Sequence, residues 1–117
     1  MRTLLFTMVI VCGSINIARA HTHLEKASPA DGATLSSAPK EVILEFSEPT
    51  RVTAATVQKE GEKQSTVLKP AGKAAAATVS LPLSTSLSAG KYVVTWRALG
   101  ADNHVMSGKL HFSIAPR

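Results

Sequence analysis

Polar and apolar residues alternate with a period of two along much of this chain, which is the pattern of strands with one buried face. The alternation is clearest in residues 41–46, 92–98 and 109–114, and little of the chain after residue 20 repeats with the period of a helix. The positions that these three strands should turn inward are Val42, Leu44, Phe46, Tyr92, Val94, Trp96, Leu110, Phe112 and Ile114.

Weaker strands are predicted at residues 54–59, 65–68 and 76–81. Turn-forming residues separate the strands at positions 29–32, 47–49, 61, 70–72 and 88–90. Short strands at this spacing predict an all-β fold, a small antiparallel sandwich or Greek-key barrel. The placement of Tyr92 resembles a tyrosine corner, in which the hydroxyl bonds to backbone just upstream.

Residues 1–20 have the features of a secretory signal peptide. A basic residue comes first, residues 4–12 form an apolar run, and Ala18-Arg19-Ala20 is a small-x-small cleavage site. The apolar run is too short to remain as a membrane span. We therefore predict cleavage before His21 and a single domain at residues 21–117.

Cysteine content and charge narrow the function of the predicted domain. The single cysteine, Cys12, lies inside the predicted signal, so the mature chain has no residue for a disulfide or a thiolate metal site. An exported chain without thiols suits the bacterial periplasm. The formal net charge is +5 with no basic cluster, so no nucleic-acid partner is expected.

Motifs of catalysis give no support for an enzyme. The sequence has no Gly-x-Ser-x-Gly elbow for a nucleophilic serine and no glycine-rich phosphate loop. Its two aspartates, Asp31 and Asp102, are not spaced as a pair for acid–base work. We expect a binding protein and not an enzyme.

The predicted first residue, His21, carries two metal donors, its α-amine and its ring Nδ1, which together form a chelate. The amine loses its proton readily because its pKa is about 7.7–8.0, far below that of a lysine. Asp102 and His104 lie two residues apart in the loop between the two clearest strands, so in extended backbone they project to one side. Three nitrogens and one oxygen favour Cu(II). The alternative is a solvated turn in which Asp102 bonds to local backbone.

His23 offers a second way to bind a metal. A free amine with histidine at the third position wraps Cu(II) or Ni(II) through deprotonated backbone amides, and His21-Thr22-His23 has that form. The mode consumes the amide protons of residues 22 and 23, which a β-ladder would need, so we rank it second. His111 alternates with Leu110 and Phe112 and is expected to face solvent, outside the site.

Several short motifs occur in an order and spacing that identify a family. They are His21-x-His23-Leu24, Ser28-Pro29-Ala30-Asp31-Gly32, Phe46-Ser47-Glu48, Leu87-x-x-Gly90-x-Tyr92-x-Val94-x-Trp96 and Asp102-x-His104-x-x-x-Gly108. On these residues the chain resembles the CopC-type periplasmic copper-resistance proteins over essentially its whole predicted mature length.

The resemblance implies a small Greek-key β-barrel of cupredoxin-like or Ig-like appearance. It implies a Cu(II) site formed by the N-terminal His21 with Asp102 and His104. It also implies that Glu48 lies near that site, either accepting a hydrogen bond from the ligand shell or acting as a weak ligand.

Methionine content separates this chain from some members of that family, which hold Cu(I) in a methionine-rich loop. The corresponding stretch, residues 58–68, has no methionine, and Met106 is the single methionine after residue 20. Met106 is a candidate for a distant soft copper ligand, but we expect an apolar contact instead, and we expect one Cu(II) per chain in a monomer. The family implies an inner-membrane copper transporter of the CopD type as partner, with storage, delivery and import all left open.

Two functions of other classes also stay open. Some copper monooxygenases use an N-terminal histidine with a second histidine, but they present an aromatic surface to substrate. The four aromatic residues after residue 20 here fall on the inward faces of predicted strands. A metal-free β-sandwich adaptor is the remaining alternative.

Overall fold

The structure is a computed structural model that describes residues 22–116, and its regular elements are all strands. The strands are β1 (Leu24–Ser28), β2 (Ala33–Leu35), β3 (Glu41–Lys59), β4 (Ser65–Val67), β5 (Ala76–Pro82), β6 (Gly90–Leu99) and β7 (Val105–Ile114). The all-β prediction is confirmed. Between residues 22 and 116, no helix is long and apolar enough to cross a bilayer.

Strand β3 connects the two layers of the fold, because its two halves belong to different layers. Residues 41–50 pair with β1 and β5, whereas residues 51–59 pair with β6 and β4. The sequence predicts a turn at 47–49, and this is wrong, because β3 runs through it without ending. Pairing with β5 is interrupted between Glu45 and Thr50, so Pro49, which has no amide proton, breaks no ladder bond there.

The second layer is completed by a long hairpin of β6 and β7, paired from Gly90–Ile114 to Leu99–Val105. The short strand β2 adds to the outer edge of β7 in parallel, so the curled sheet is mixed and not purely antiparallel. The hairpin brings the two clearest strands of the sequence side by side. Their connecting loop, residues 100–104, therefore lies at one end of this layer.

The core fills the space between the two layers. All nine inward positions predicted from the alternation are buried, with at most 6% of any side chain exposed. Phe46 from the first layer meets Trp96 from the second edge to face, with ring centroids 5.5 Å apart. Across the hairpin Trp96 pairs with Gly108, where a β-carbon would lie only 2.6 Å from the indole ring. Glycine at 108 therefore makes room for the largest aromatic group of the core.

The alternation does not predict β1, and the structure gives the reason. Leu24 and Ala27 both pack against the core, three residues apart, because the register of β1 on β3 shifts between Leu24 and Lys26. Such a bulge breaks the period of two.

The tyrosine corner predicted at Tyr92 is confirmed, since the Tyr92 hydroxyl donates to the Ser88 carbonyl at 2.7 Å.

Candidate metal centre

A tight turn presents the two metal donors predicted in the β6–β7 loop. The amide of Gly100 donates to the carbonyl of His104 at 3.0 Å, and the amide of Asn103 donates to the carbonyl of Gly100 at 3.0 Å. Asn103 has φ of 63°, a left-handed conformation that asparagine tolerates better than most residues. The backbone is thus a closed turn, and the expectation of an extended loop is wrong.

Asp102 and His104 meet in this turn although its backbone is not extended. One carboxylate oxygen of Asp102 accepts the backbone amide of His104 at 3.2 Å, and the other lies 3.1 Å from the ring Nδ1 of His104. The hydrogen bond from the amide, followed by that from the ring, lowers the pKa of Asp102 below its ordinary value. The carboxylate is therefore held ionised beside an imidazole whose side chain is 75% exposed.

The spacing of these two groups suits a metal ion. Two donors about 2.0–2.2 Å from one ion, with a right angle or slightly more between them, lie about 3 Å apart. The 3.1 Å between the Asp102 oxygen and His104 Nδ1 matches that spacing. The same contact, read as a hydrogen bond, would orient the ring and leave its Nε2 for the metal, which is a common arrangement around protein-bound metals.

Thr22, the first described residue, lies against this loop. Its side chain is buried, with 6% exposed, and its hydroxyl donates to the Glu48 carboxylate at 3.1 Å. A β-carbon placed on Gly100 would lie 3.1 Å from the β-carbon of Thr22 and 2.8 Å from the Asp102 carboxylate. The sequence pattern did not identify Thr22 as a residue of the site. The one feature that could have indicated it is its position between two histidines.

His21 and the predicted signal, residues 1–20, lie outside the described residues. Within residues 22–116, no three His, Asp or Glu side chains come together as a metal site. The described part of the chain thus brings Asp102 and His104 together, and Glu48 bonds to Thr22 beside Gly100 of the same loop. Met106 packs against the core, in agreement with the apolar contact expected of it.

His23 is tied to β3 through its backbone. Its amide donates to the Ser47 hydroxyl at 3.0 Å, and its carbonyl accepts the Ser47 amide at 2.9 Å. The ring Nε2 lies 3.8 Å from the Glu25 carboxylate. A copper complex made through the deprotonated His23 amide would have to give up the bond to Ser47.

His111 lies on the outside of β7, and its predicted exposure is confirmed, with 55% of the side chain accessible. Its amide donates to Asp31 at 2.7 Å and its ring Nδ1 lies 3.4 Å from the same oxygen. The hydrogen bond from this amide is the main cause that lowers the pKa of Asp31. Seven residues of extended β7 separate His111 from His104, a span of about 23 Å, so this second His–Asp pair is remote from the loop.

Comparison with known families gives one clear match. The family model described as the CopC domain matches residues 24–115. The match therefore covers every strand of the structure, from the start of β1 to the end of β7.

Individual relatives agree with this match. The copper resistance protein C of Xanthomonas campestris pv. juglandis is 32% identical, over 97% of this chain and 96% of its own length. The copper transport protein CutJ of Bacillus subtilis is 31% identical over 81% of this chain, but the chain spans only 18% of that protein. The crystal structure of CopC from Methylosinus trichosporium OB3b superposes with a TM-score of 0.68 at 27% identity, covering 83% of this chain and 96% of that one.

Proposed function

The chain belongs to the CopC domain family, and from that membership we propose that it is an exported Cu(II)-binding protein of the periplasm. In this proposal cleavage after Ala20 frees His21, whose α-amine and ring Nδ1 bind one Cu(II) ion together with Asp102 and His104. The ion is cargo, bound and later released for copper resistance, homeostasis or delivery. A membrane copper transporter of the CopD type is the proposed recipient.

The contact of Thr22 with the metal loop carries this proposal. Thr22 lies beside Gly100 and its hydroxyl donates to Glu48, which supports a site that includes the residue joined to Thr22. Asp102 and His104 belong to the same loop as Gly100. We propose that the amine and imidazole of His21, which is joined directly to Thr22, bind the metal ion together with these two donors.

The chemistry of the donor set supports copper as the ion. Three nitrogens and one carboxylate oxygen match the tetragonal N,O surroundings that Cu(II) prefers, and Cu(II) binds such sites most tightly of the common divalent ions. The names of two relatives, a copper transport protein and a copper resistance protein, agree with this choice. Because imidazole and amine bind a metal only without their added proton, Cu(II) binding should release protons and weaken as the pH falls.

A binding protein agrees better with the surface than a copper oxidase or monooxygenase does. The four aromatic side chains of residues 22–116 are each at most 6% exposed. They are Phe46, Tyr92, Trp96 and Phe112. The described surface thus has no aromatic platform on which an oxidisable substrate would stack.

The decisive experiment changes the N-terminus of the purified exported chain. Mass spectrometry first establishes its first residue and the number of copper ions bound. Acetylation of the α-amine removes one of the two proposed His21 donors and should lower Cu(II) affinity by at least tenfold in a competition titration. An unchanged affinity, or a mature chain that starts elsewhere, would refute the proposed chelate.

The variant His23→Ala distinguishes the rival mode in the same titration. The amine-x-x-His arrangement requires the His23 ring, so its removal would abolish that binding. The proposed site predicts an affinity close to that of the unmodified chain, because the His23 amide is already bonded to Ser47.

A further inference from the structure

The strands of the two layers differ in charge, whereas Asp31, Glu60, Glu62 and Asp102 lie in loops beside the strands of the second layer. The layer of β2, β4, β6, β7 and residues 51–59 contains no aspartate or glutamate in its strands. Its basic residues are Arg51, Lys59, Lys91, Arg97 and Lys109. The strands of the other layer contain Glu25, Glu41, Glu45 and Glu48 against the single base Lys26. We call these the basic layer and the acidic layer.

The bases of the basic layer mostly point away from the core. Arg97 is exposed between the buried Trp96 and Ala98, and Lys109 is exposed beside the buried Leu110, so strand alternation turns both outward. Arg51 and Lys91 are exposed in the same way, whereas Lys59 bonds to Ser88 at the end of the layer. Within the described residues none of the four outward bases forms a salt bridge.

The four outward bases are spread over a face and not gathered in a groove. They lie on three adjacent strands, which are about 4.8 Å apart, with Arg51 on β3, Arg97 on β6 and Lys109 on β7. Val105 adds an apolar side chain that is 71% exposed at the end of this face nearest the metal loop. The partner that matches such a surface is itself broad and negatively charged over a wide area.

We propose that the basic layer docks on an anionic phospholipid bilayer. A bilayer offers a plane of negative charge wide enough to meet bases on three strands at once. It attracts the four outward bases of the basic layer and repels the strand carboxylates of the acidic layer, so the charges of the strands favour one orientation. The attraction falls off within a Debye length of about 10 Å, so the acidic layer on the far side of the domain opposes it only weakly.

The orientation has a consequence for the metal loop. Residues 100–104 connect β6 to β7 at one end of the basic layer, and Val105 directly follows His104. A domain lying on its basic layer therefore keeps this loop close to the bilayer plane. The proposal does not depend on copper binding, because none of the four bases belongs to the proposed site.

The test is co-sedimentation of the exported chain with vesicles. Vesicles of 30% phosphatidylglycerol in phosphatidylcholine are compared with pure phosphatidylcholine at low salt. A base near an anionic surface contributes about fivefold to binding. The double variant Arg97→Glu/Lys109→Glu should therefore lower the partition coefficient on anionic vesicles by at least tenfold. The matched control Lys40→Glu/Lys73→Glu has the same net charge, and both its exposed positions lie outside the basic layer.

Loss of binding in the basic-layer variant alone, with loss of wild-type binding in 0.5 M salt, would establish the docking face. Equal losses in both variants would show that only net charge matters and would overturn the proposal. Equal binding of the wild type to neutral and anionic vesicles would also overturn it. Retention on immobilised polyglutamate without vesicle binding would assign the face to an acidic protein instead. Circular dichroism of both variants confirms that each is folded.

Discussion

The hydroxyl of Thr22 donates to the carboxylate of Glu48 across 3.1 Å, joining the first described residue to the middle of the longest strand. Thr50, two residues after Glu48, is fully buried, and its hydroxyl donates to the Glu48 carbonyl at 2.8 Å. The backbone that carries the Glu48 carboxylate is thus bonded to a core residue. The contact between Thr22 and Glu48 holds Thr22 beside Gly100 in the β6–β7 loop.

Replacing Glu48 tests whether it positions the segment or binds copper itself. We expect Glu48→Ala to lower Cu(II) affinity about 10–100-fold, the usual effect of removing a group that orients ligands. Glu48→Gln should keep most of the affinity because its amide oxygen still accepts from the Thr22 hydroxyl. Competition with a chromogenic Cu(II) chelator measures both variants. If Gln loses as much as Ala, the carboxylate is itself a ligand.

His104 and His111 are both exposed and each lies beside an aspartate, so alanine variants of the two can be compared directly. His104→Ala should lower Cu(II) affinity at least tenfold and remove one nitrogen from the electron paramagnetic resonance spectrum. His111→Ala, which removes a similar His–Asp contact about 23 Å along β7, should leave both unchanged. Equal effects of the two variants would contradict the assignment of the site to the β6–β7 loop.

Gly108 should resist substitution because it lies under the ring of Trp96. Alanine there would place a β-carbon 2.6 Å from the indole, so either the ring or the strand must move. We expect Gly108→Ala to lower the free energy of unfolding by about 1–3 kcal/mol, measured by thermal denaturation. Gly72→Ala is the control, since a β-carbon at 72 meets nothing within 4 Å. Equal melting temperatures for the two variants would contradict this account.

Acid should remove the stabilisation that Asp31 provides. Folding lowers its pKa, chiefly through the His111 amide, so the carboxylate stabilises the fold above its ordinary pKa of about 3.9. That contribution is lost as the pH falls through the lower, folded-state value. Asp31→Asn should therefore lower the melting temperature most at neutral pH, with the difference shrinking toward pH 2. A difference that stays constant over this range would show that ionisation of Asp31 has no part in it.

Which face of each main strand is buried could be predicted from the residues alone. Val42, Val94 and Phe112 follow a local rule, since side chains alternate along any strand and the apolar ones leave water. The choice of Asp102 and His104 was equally local, because residues two apart in a short loop stay near each other. The side chains of Asp102 and His104 are close in the structure, although the backbone between them is a turn and not an extended segment.

The sequence by itself therefore determined the all-β class, the buried faces and membership of the CopC family, and it predicted that Asp102 and His104 lie together. The tertiary structure alone decided that β3 passes from one layer to the other after Thr50, that Thr22 lies beside Gly100, and that the strands of the two layers carry opposite charges. Those features depend on pairing between residues far apart in the chain. Alternation specifies which side of a strand is buried, but it carries no information about which strand becomes its neighbour.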